Sequence, residues 1–292
     1  MIKLLLMFLP FYLHPPEARE MTDRLVPEGY QGNYWGPEAS RARREGTMPP
    51  IEITPQMARW DRWGRKVLKD GDIVFRLGDA RVLHGFFPMS RFYANCSNSK
   101  FSHTGIVAIE EEGPVVYDTT GSGVARQPFC VWILDNVGNF GVKRLRPEDR
   151  EAIPKVLAYC RKVFLEQPPF DYELGLDDSA LYCVEMTEKA FRYAGLPLSE
   201  PVRIGDMERA TEFPLCMLGI GILSRQVLKH PLTAETKVYF PGNARHGIWS
   251  SPHLVEVLPP TFKPGYPYMQ DHGLPPLVAD SMRRRNAGAA WW

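Results

Sequence analysis

The strongest constraint on the fold is the amphipathic segment from Leu181 to Ala194. At helical spacing, one face carries small and apolar side chains and the opposite face carries charged ones. Gly195 favours a left-handed helix end, and Pro197 prevents the helix from continuing. The segment therefore predicts a helix with one core-facing side. That side is made of Cys183, Met186, Thr187, Ala190, Phe191 and Ala194.

Cys183 stands at the start of this predicted helix. A sulfur at that point lies beside backbone N–H groups and near the positive end of the helix dipole, and both favour the thiolate. Free cysteines are also common in protein cores. Because buried thiols outnumber reactive ones, this segment by itself favours a core residue over a nucleophile.

Most of the predicted β-structure comes before this helix. Residues 72–76 predict a strand, and residues 103–110 and 115–118 predict a β-hairpin closed by the turn at 111–114. Residues 77–101 predict a long loop, which in a compact domain is more typical of a lid or binding loop than of filler. The apolar residues 215–223 are too few to cross a membrane, so they predict a buried segment or lid. Other segments with regular periodicity predict helices at 57–69 and from Pro147, and strands at 124–129, 141–146, 237–240 and 253–258.

His103 opens the first hairpin strand, and Asp118 ends the second. Pairing across the turn brings Asp118 near the start of the His103 strand, and Gly105 leaves room beside the imidazole. Taken alone, each has a simpler explanation: a solvated histidine at a strand end, and an aspartate in an Asp-Thr-Thr-Gly turn. Together with Cys183 they form a candidate set of nucleophile, base and orienting group.

Composition excludes several classes of protein. The chain has 292 residues with 35 basic and 34 acidic side chains, so no overall field draws it to nucleic acid or to an anionic membrane. Its five cysteines are widely spaced and odd in number, which argues against a full disulfide framework and a zinc finger. No H-E-x-x-H motif is present. We therefore expect no metal and no organic cofactor.

The ends of the chain differ from its middle. Residues 1–13 have the length of a signal-peptide core, but Pro10 interrupts them and no small-x-small cleavage site follows, so export and a cytoplasmic location both stay open. Residues 14–55 lack clear periodicity and predict an extended arm. We expect a leader and arm at 1–55, a folded domain at 56–258, and a Pro-rich, mobile tail at 259–292. The sequence leaves the oligomeric state open.

The order of these elements resembles a known family. Residues 71–75, 102–107 and 115–118 resemble the sheet half of the NlpC-type papain-like hydrolases, in which the second block carries the catalytic histidine. The cysteine helix normally comes first in that family, whereas Cys183 follows His103 here. This inverted order resembles the circularly permuted branch, the YiiX/YaeF-like amidases, related in fold to lecithin retinol acyltransferase. The resemblance implies an α+β, papain-like antiparallel sheet packed against the helix that carries the nucleophile, within the hydrolase domain at 56–258.

The resemblance also implies roles for individual residues. Cys183 would be the nucleophile, His103 the base and Asp118 the orienting group. Tyr172, in an aromatic pair before the cysteine, and Tyr182 would contribute to the oxyanion or substrate side. Two positions depart from the family pattern. Val184 replaces a small hydroxyl residue, and the third member of the set is an aspartate, one methylene shorter than the more usual glutamate.

The leading hypothesis is a cysteine-dependent amidase or peptidase acting through a thioester on Cys183. The substrate class, whether small molecule, peptide or acyl compound, stays open. A first alternative is a thiol acyltransferase or lipid acyl hydrolase using the same residues. A second is an inactive papain-fold binding module.

Overall fold

A six-stranded antiparallel sheet is the centre of the part of the chain that the computed structural model describes, residues 30–80, 89–212, 232–263 and 265. The strands lie in the order β4-β3-β2-β1-β5-β8. A separate pair, β6 and β7, forms a small second sheet. The bounds are β1 (Ile73–Arg76), β2 (His103–Glu110), β3 (Gly113–Thr120), β4 (Gly123–Pro128), β5 (Asn139–Leu145), β6 (Val202–Arg203), β7 (Lys237–Val238) and β8 (Leu254–Phe262).

Helices cover both faces of the main sheet. Their bounds are α1 (Pro37–Arg44), α2 (Pro55–Val67), α3 (Met89–Cys96), α4 (Phe129–Trp132), α5 (Ile153–Glu166), α6 (Cys183–Tyr193) and α7 (Glu208–Glu212). Helices α5 and α6 pack on one face, whereas α2 and α4 pack on the other. The described ranges contain no helix long and apolar enough to cross a membrane.

Side chains of the central strands alternate between two apolar clusters. On β2, Ile106 packs with helices α5 and α6, and Val107 packs with α2 and α4. On β3, Tyr117 packs with α5 and α6, and Val116 packs with α2 and α4. Because successive residues of a strand point to opposite faces, these strands need apolar residues at nearly every position. The predicted α+β architecture, an antiparallel sheet packed against the Cys183 helix, is confirmed.

Two segments are more ordered than the sequence indicates. The predicted extended arm contains helix α1, and Tyr34 and Trp35 just before it are buried in the cluster of α2 and α4. Arg43 lies over the ring of Tyr34 at 4.1 Å. Aromatic burial thus orders a segment whose polar composition predicts no regular structure. Within the predicted loop at 77–101, residues 89–96 form helix α3.

Strand β8 continues past the predicted strand end at residue 258 to Phe262, through Pro259 and Pro260. It is the edge strand beyond β5. Proline is tolerated there because an edge strand needs only half of its backbone hydrogen bonds. Gly265 then accepts hydrogen bonds from Gln56 and Trp60 on helix α2. The predicted lid at 215–223 lies outside the described residues.

Candidate active site

His103 and Asp118 meet at the end of the β2–β3 hairpin. His103 Nε2 lies 2.7 Å from Asp118 Oδ2. Asp118 is buried, whereas 16% of the His103 side chain is exposed. Because a carboxylate only accepts hydrogen bonds, Nε2 donates and Nδ1 is the ring nitrogen left for another partner. The two side chains that hairpin pairing places near each other are therefore in direct contact.

Gly105 makes this contact possible at the level of the backbone. A Cβ at position 105 would lie 2.4 Å from Val116 Cγ1 and 3.5 Å from the Cβ of Asp118. The two strands therefore approach more closely beside His103 than a larger residue would allow. This close approach explains why the short aspartate side chain reaches the imidazole.

Two buried threonines tie the Cys183 helix to the histidine strand. The hydroxyls of Thr104 and Thr187 lie 2.9 Å apart, and the Thr187 hydroxyl donates to the Cys183 carbonyl oxygen at 3.3 Å. Thr104 directly follows His103, and Thr187 lies one helical turn after Cys183. This link holds the start of helix α6 against the start of β2. Cys183 itself is partly exposed, and its charge acts on the imidazole of His103.

Opposing effects act on the protonation of His103. Burial lowers the pKa of its imidazole, and so does the positive charge of Arg76. The negative charge of Cys183, together with the hydrogen bonds to Asp118 and Cys183, outweighs both and raises the pKa to about 10. A negative charge favours the charged form of a neighbouring imidazole. With a pKa of about 10, His103 is an imidazolium at neutral pH.

Trp132 holds the other side of Asp118. Its indole Nε1 donates to Asp118 Oδ2 at 2.7 Å, so the same carboxylate oxygen accepts from both Trp132 and His103. Trp132 is fully buried, and its ring lies 5.9 Å from the imidazole at an angle of 30°. Asp118 is thus oriented from two directions.

A buried ion pair lies behind Trp132. The Arg76 guanidinium stacks over the Trp132 ring at 4.2 Å, donates to the Trp132 carbonyl oxygen, and lies 3.4 Å from Asp135 Oδ2. Arg76 is the antiparallel partner of His103 across β1 and β2. A cation therefore lies close behind the imidazole without hydrogen-bonding to it.

The two tyrosines proposed from the sequence occupy different environments. Tyr182, the residue before helix α6, is buried; its hydroxyl accepts from the Tyr239 N–H at 2.6 Å and lies 3.2 Å from the Tyr239 carbonyl oxygen. Tyr172 is half-exposed, with its ring 4.8 Å from that of Phe170. Phe170 pairs with Leu181, two residues before Cys183. Tyr172 therefore lies beside the segment that leads to Cys183, whereas the Tyr182 hydroxyl is hydrogen-bonded to backbone groups of Tyr239.

Helix α3, from the predicted binding loop, brings Tyr93 to the site. Burial raises the pKa of the Tyr93 phenol well above its usual range, and the negative charge of Cys183 adds to the rise. Its hydroxyl lies 3.3 Å from the Tyr239 carbonyl oxygen that Tyr182 also contacts. Tyr93 therefore stays a neutral hydrogen-bond donor near Cys183.

The other cysteines of the described residues, Cys96, Cys130 and Cys160, are buried, whereas Cys183 is partly exposed. Cys130 and Cys160 are buried, and burial raises the pKa of each thiol to about 12. Across the described ranges, no three His, Cys, Asp or Glu side chains are grouped so that they could hold a metal ion.

A family model described as permuted papain-like amidase enzyme, YaeF/YiiX, C92 family, matches residues 67–235, more than half of the chain. The chain belongs to the C92 family. The resemblance inferred from the order of the sequence blocks is confirmed, and so is the class of enzyme, a cysteine amidase or peptidase with a permuted papain-like fold. The three blocks that carry the resemblance and the Cys183 helix all fall inside the matched range.

Two similar proteins come from Escherichia coli. The uncharacterized protein YiiX of strain K12 is 25% identical over 188 residues, which cover 64% of this chain and 84% of YiiX. The crystal structure of metalloprotein yiiX from strain O157:H7 is 21% identical with a TM-score of 0.52, covering 64% of this chain and 95% of that one. The latter similarity shows a shared fold.

Sequence reasoning missed Trp132, Arg76 and Asp135. The segment from Phe129 to Asp135 is apolar and short, so its periodicity is uninformative. Arg76 ends a predicted strand, where a charged residue is usually solvated. The one available signal is a charge in an otherwise apolar strand, Ile73–Arg76, and it does not identify a partner.

Proposed function

We propose that this C92 protein hydrolyses amide bonds through a thioester on Cys183, with His103 as acid and base and Asp118 as the orienting group. The observation that carries the proposal is the 2.7 Å contact of His103 Nε2 with Asp118 Oδ2, on a strand whose Thr104 is joined to the Cys183 helix through Thr187. This is the arrangement that a thiol nucleophile requires.

The first half of the reaction begins with the thiolate of Cys183. Its sulfur attacks the carbonyl carbon of the substrate and forms a C–S bond, and the carbonyl π electrons move to oxygen. The His103 imidazolium donates its proton to the leaving nitrogen through Nδ1, because Nε2 is held by Asp118. The C–N bond then breaks, the amine leaves, and an acyl thioester remains on Cys183.

The second half uses the neutral imidazole that the first half leaves. His103 takes a proton from water, whose oxygen attacks the thioester carbonyl. The C–S bond breaks, the acid leaves, and the thiolate and imidazolium are restored. Asp118 accepts the hydrogen bond from Nε2 and fixes the tautomer throughout.

Backbone N–H groups at the start of helix α6 stabilise the negative oxygen of the tetrahedral intermediate. The first N–H groups of any α-helix have no acceptor within the helix, and the helix dipole adds positive potential there. One such donor contributes about 3 kcal/mol to lowering the barrier.

Tyr172 forms an exposed aromatic wall of the substrate cleft. Its hydroxyl lies 3.1 Å from the point where Gly121 would carry a Cβ, so its side chain reaches from the segment before Cys183 to the β3–β4 turn. An aromatic wall of this kind accepts an apolar side chain or an acyl chain.

The experiment compares wild type, Cys183→Ala and His103→Ala against peptide, muropeptide and acyl-ester libraries, with and without an added amine or alcohol acceptor. We expect hydrolysis in the wild type, a loss of at least about a thousandfold in both variants, and a wild-type acyl-enzyme visible by intact mass spectrometry. A transferred acyl group in the presence of the acceptor identifies an acyltransferase instead.

His253→Ala is the matched control. His253 Nδ1 lies 3.0 Å from Asp149 Oδ2, so it forms a histidine–aspartate contact like that of His103, but on β8's side of the sheet. We expect wild-type turnover from this variant. Turnover by Cys183→Ala at the wild-type rate overturns the proposal.

A further inference from the structure

The side chains behind the His103–Asp118 contact form a continuous buried chain. Trp132 bonds to Asp118 through its indole N–H, and Arg76 contacts Trp132 through both its ring and its carbonyl oxygen. Asp135 then pairs with Arg76 at 3.4 Å. Trp132, Arg76 and Asp135 each have at most 3% of their side chain or surface exposed. We call these three residues the supporting triad.

We propose that Trp132 is a positioning residue of this site, held by Arg76 and Asp135, which fixes Asp118 in line with His103 and withdraws negative charge from the carboxylate. The inference rests on the proposed function, because it concerns the same reaction. The polar contact of Trp132 with the site is the indole hydrogen bond to Asp118, so Trp132 acts on the reaction through that carboxylate.

The hydrogen bond from Trp132 helps to fix the angle of the Asp118 carboxylate. Asp118 Oδ2 accepts two hydrogen bonds of 2.7 Å, one from each side. Asp118 Oδ1 is buried and has no hydrogen-bond partner in the described part of the chain. Turning the carboxylate away from this angle would therefore weaken both bonds, and no donor near Oδ1 would replace them. Without the indole N–H, only the His103 bond would oppose that rotation.

The charges around His103 explain why the triad carries a cation. Cys183 on α6 and Asp118 on β3 face the imidazole with negative charge, and Arg76 on β1 faces it with positive charge. Asp135, after helix α4, faces Arg76. An imidazolium held by two anions is a weak proton donor. Arg76 and the indole N–H both offset this negative charge, so they make it easier for His103 to protonate the leaving group.

The test compares Trp132→Phe with Trp60→Phe. Trp60 is a matched control, because its Nε1 donates to a carbonyl oxygen at 2.8 Å and its ring lies in the same apolar cluster as Trp132. Both variants lose one indole hydrogen bond and leave a similar cavity. We expect Trp132→Phe to lower kcat by about tenfold to a hundredfold with little change in KM, and to raise the pKa of His103. We expect Trp60→Phe to keep the wild-type kcat, KM and His103 pKa.

A readout independent of turnover separates this inference from the proposed function. In wild-type protein labelled with 15N-tryptophan, we expect the Trp132 indole proton to resonate far downfield, as in a bond to a carboxylate, and to move upfield in Asp118→Asn while the Trp60 proton does not move. Arg76→Lys, which keeps the charge but loses the planar stack, serves if Trp132→Phe does not fold. We expect it to lower kcat and broaden the Trp132 signal.

Equal kcat, KM and His103 titration in Trp132→Phe and Trp60→Phe overturn the inference. So does a Trp132 indole proton that does not respond to Asp118→Asn. If no amide substrate is found but the indole proton responds as expected, the positioning role stands and only the proposed reaction fails.

Discussion

Asp118→Asn tests the electrostatic account of the site most directly. The substitution keeps the shape of the side chain and removes its charge. Trp132 Nε1 donates to Asp118 Oδ2, so it requires an acceptor at that point. The introduced amide should therefore place its oxygen toward both Trp132 and His103 and its NH2 at the position of Oδ1. The hydrogen bond to His103 is then kept, but it becomes a bond to a neutral acceptor.

The size of the effect follows from the type of hydrogen bond. A bond to a charged group contributes about 1.5–3 kcal/mol, against about 0.5–1.5 kcal/mol for a neutral pair. The difference of about 1–1.5 kcal/mol corresponds to about one pKa unit. The Asp118 bond is one of the causes that raise the pKa of His103 to about 10, so we expect the substitution to lower it to about 9. Because a neutral acceptor also holds the imidazole less firmly in its tautomer and orientation, we expect kcat/KM to fall as well.

The assay is an NMR titration of proteins with 13C-labelled histidine, with the His103 signal among the seven histidines assigned from His103→Gln. Asp149→Asn is the control, because it neutralises the aspartate that contacts His253 instead. We expect the His103 midpoint to fall in Asp118→Asn and to stay at its wild-type value in the control. An unchanged or higher midpoint in Asp118→Asn would refute the role assigned to the carboxylate.

Four further predictions concern the thiol, the packing and pH. At about pH 6, iodoacetamide should label Cys183 far faster than Cys160, whose thiol has a pKa of about 12. Peptide mass mapping measures the two labelling rates, and in His103→Ala they should become equal. Gly105→Ala should lower the free energy of unfolding in urea by about 1–3 kcal/mol, because the new methyl overlaps Val116; an unchanged midpoint argues against the close strand approach. Phe191→Ala, fully buried on helix α6, should cost about 3–5 kcal/mol in the same assay, whereas exposed Tyr193→Ala should cost under about 1 kcal/mol. Folding raises the pKa of His103 from its usual 6.5 to about 10, so the stability that this shift contributes is complete below about pH 6.5 and is lost as pH rises through 10. The free energy of unfolding should therefore differ more between pH 7 and pH 10.5 in wild type than in His103→Gln.

Local patterns were sufficient to predict most of the scaffold. The hairpin of His103 and Asp118 follows from two apolar runs around a turn, and β2 has the bounds that the sequence predicts, residues 103–110. Helix α6 starts at Cys183, as its apolar stripe indicates. The family resemblance followed from the order of these same blocks. Local patterns failed at α1 and α3. Tyr34 and Trp35, just before α1, are buried in the cluster of α2 and α4, and Phe92 on α3 is buried, which composition does not show.

By itself, the sequence determined the elements of this protein, the residues at their ends and the family to which they belong, because periodicity and turn chemistry act between neighbours in the chain. Only the tertiary structure decided what surrounds those ends. The link between Thr104 and Thr187, the second hydrogen bond to Asp118 and the cation behind Trp132 all join residues from different elements. Such contacts depend on how the sheet faces pack, and the charge state of His103 depends on them in turn, since electrostatic effects follow distance in space and not position in the chain.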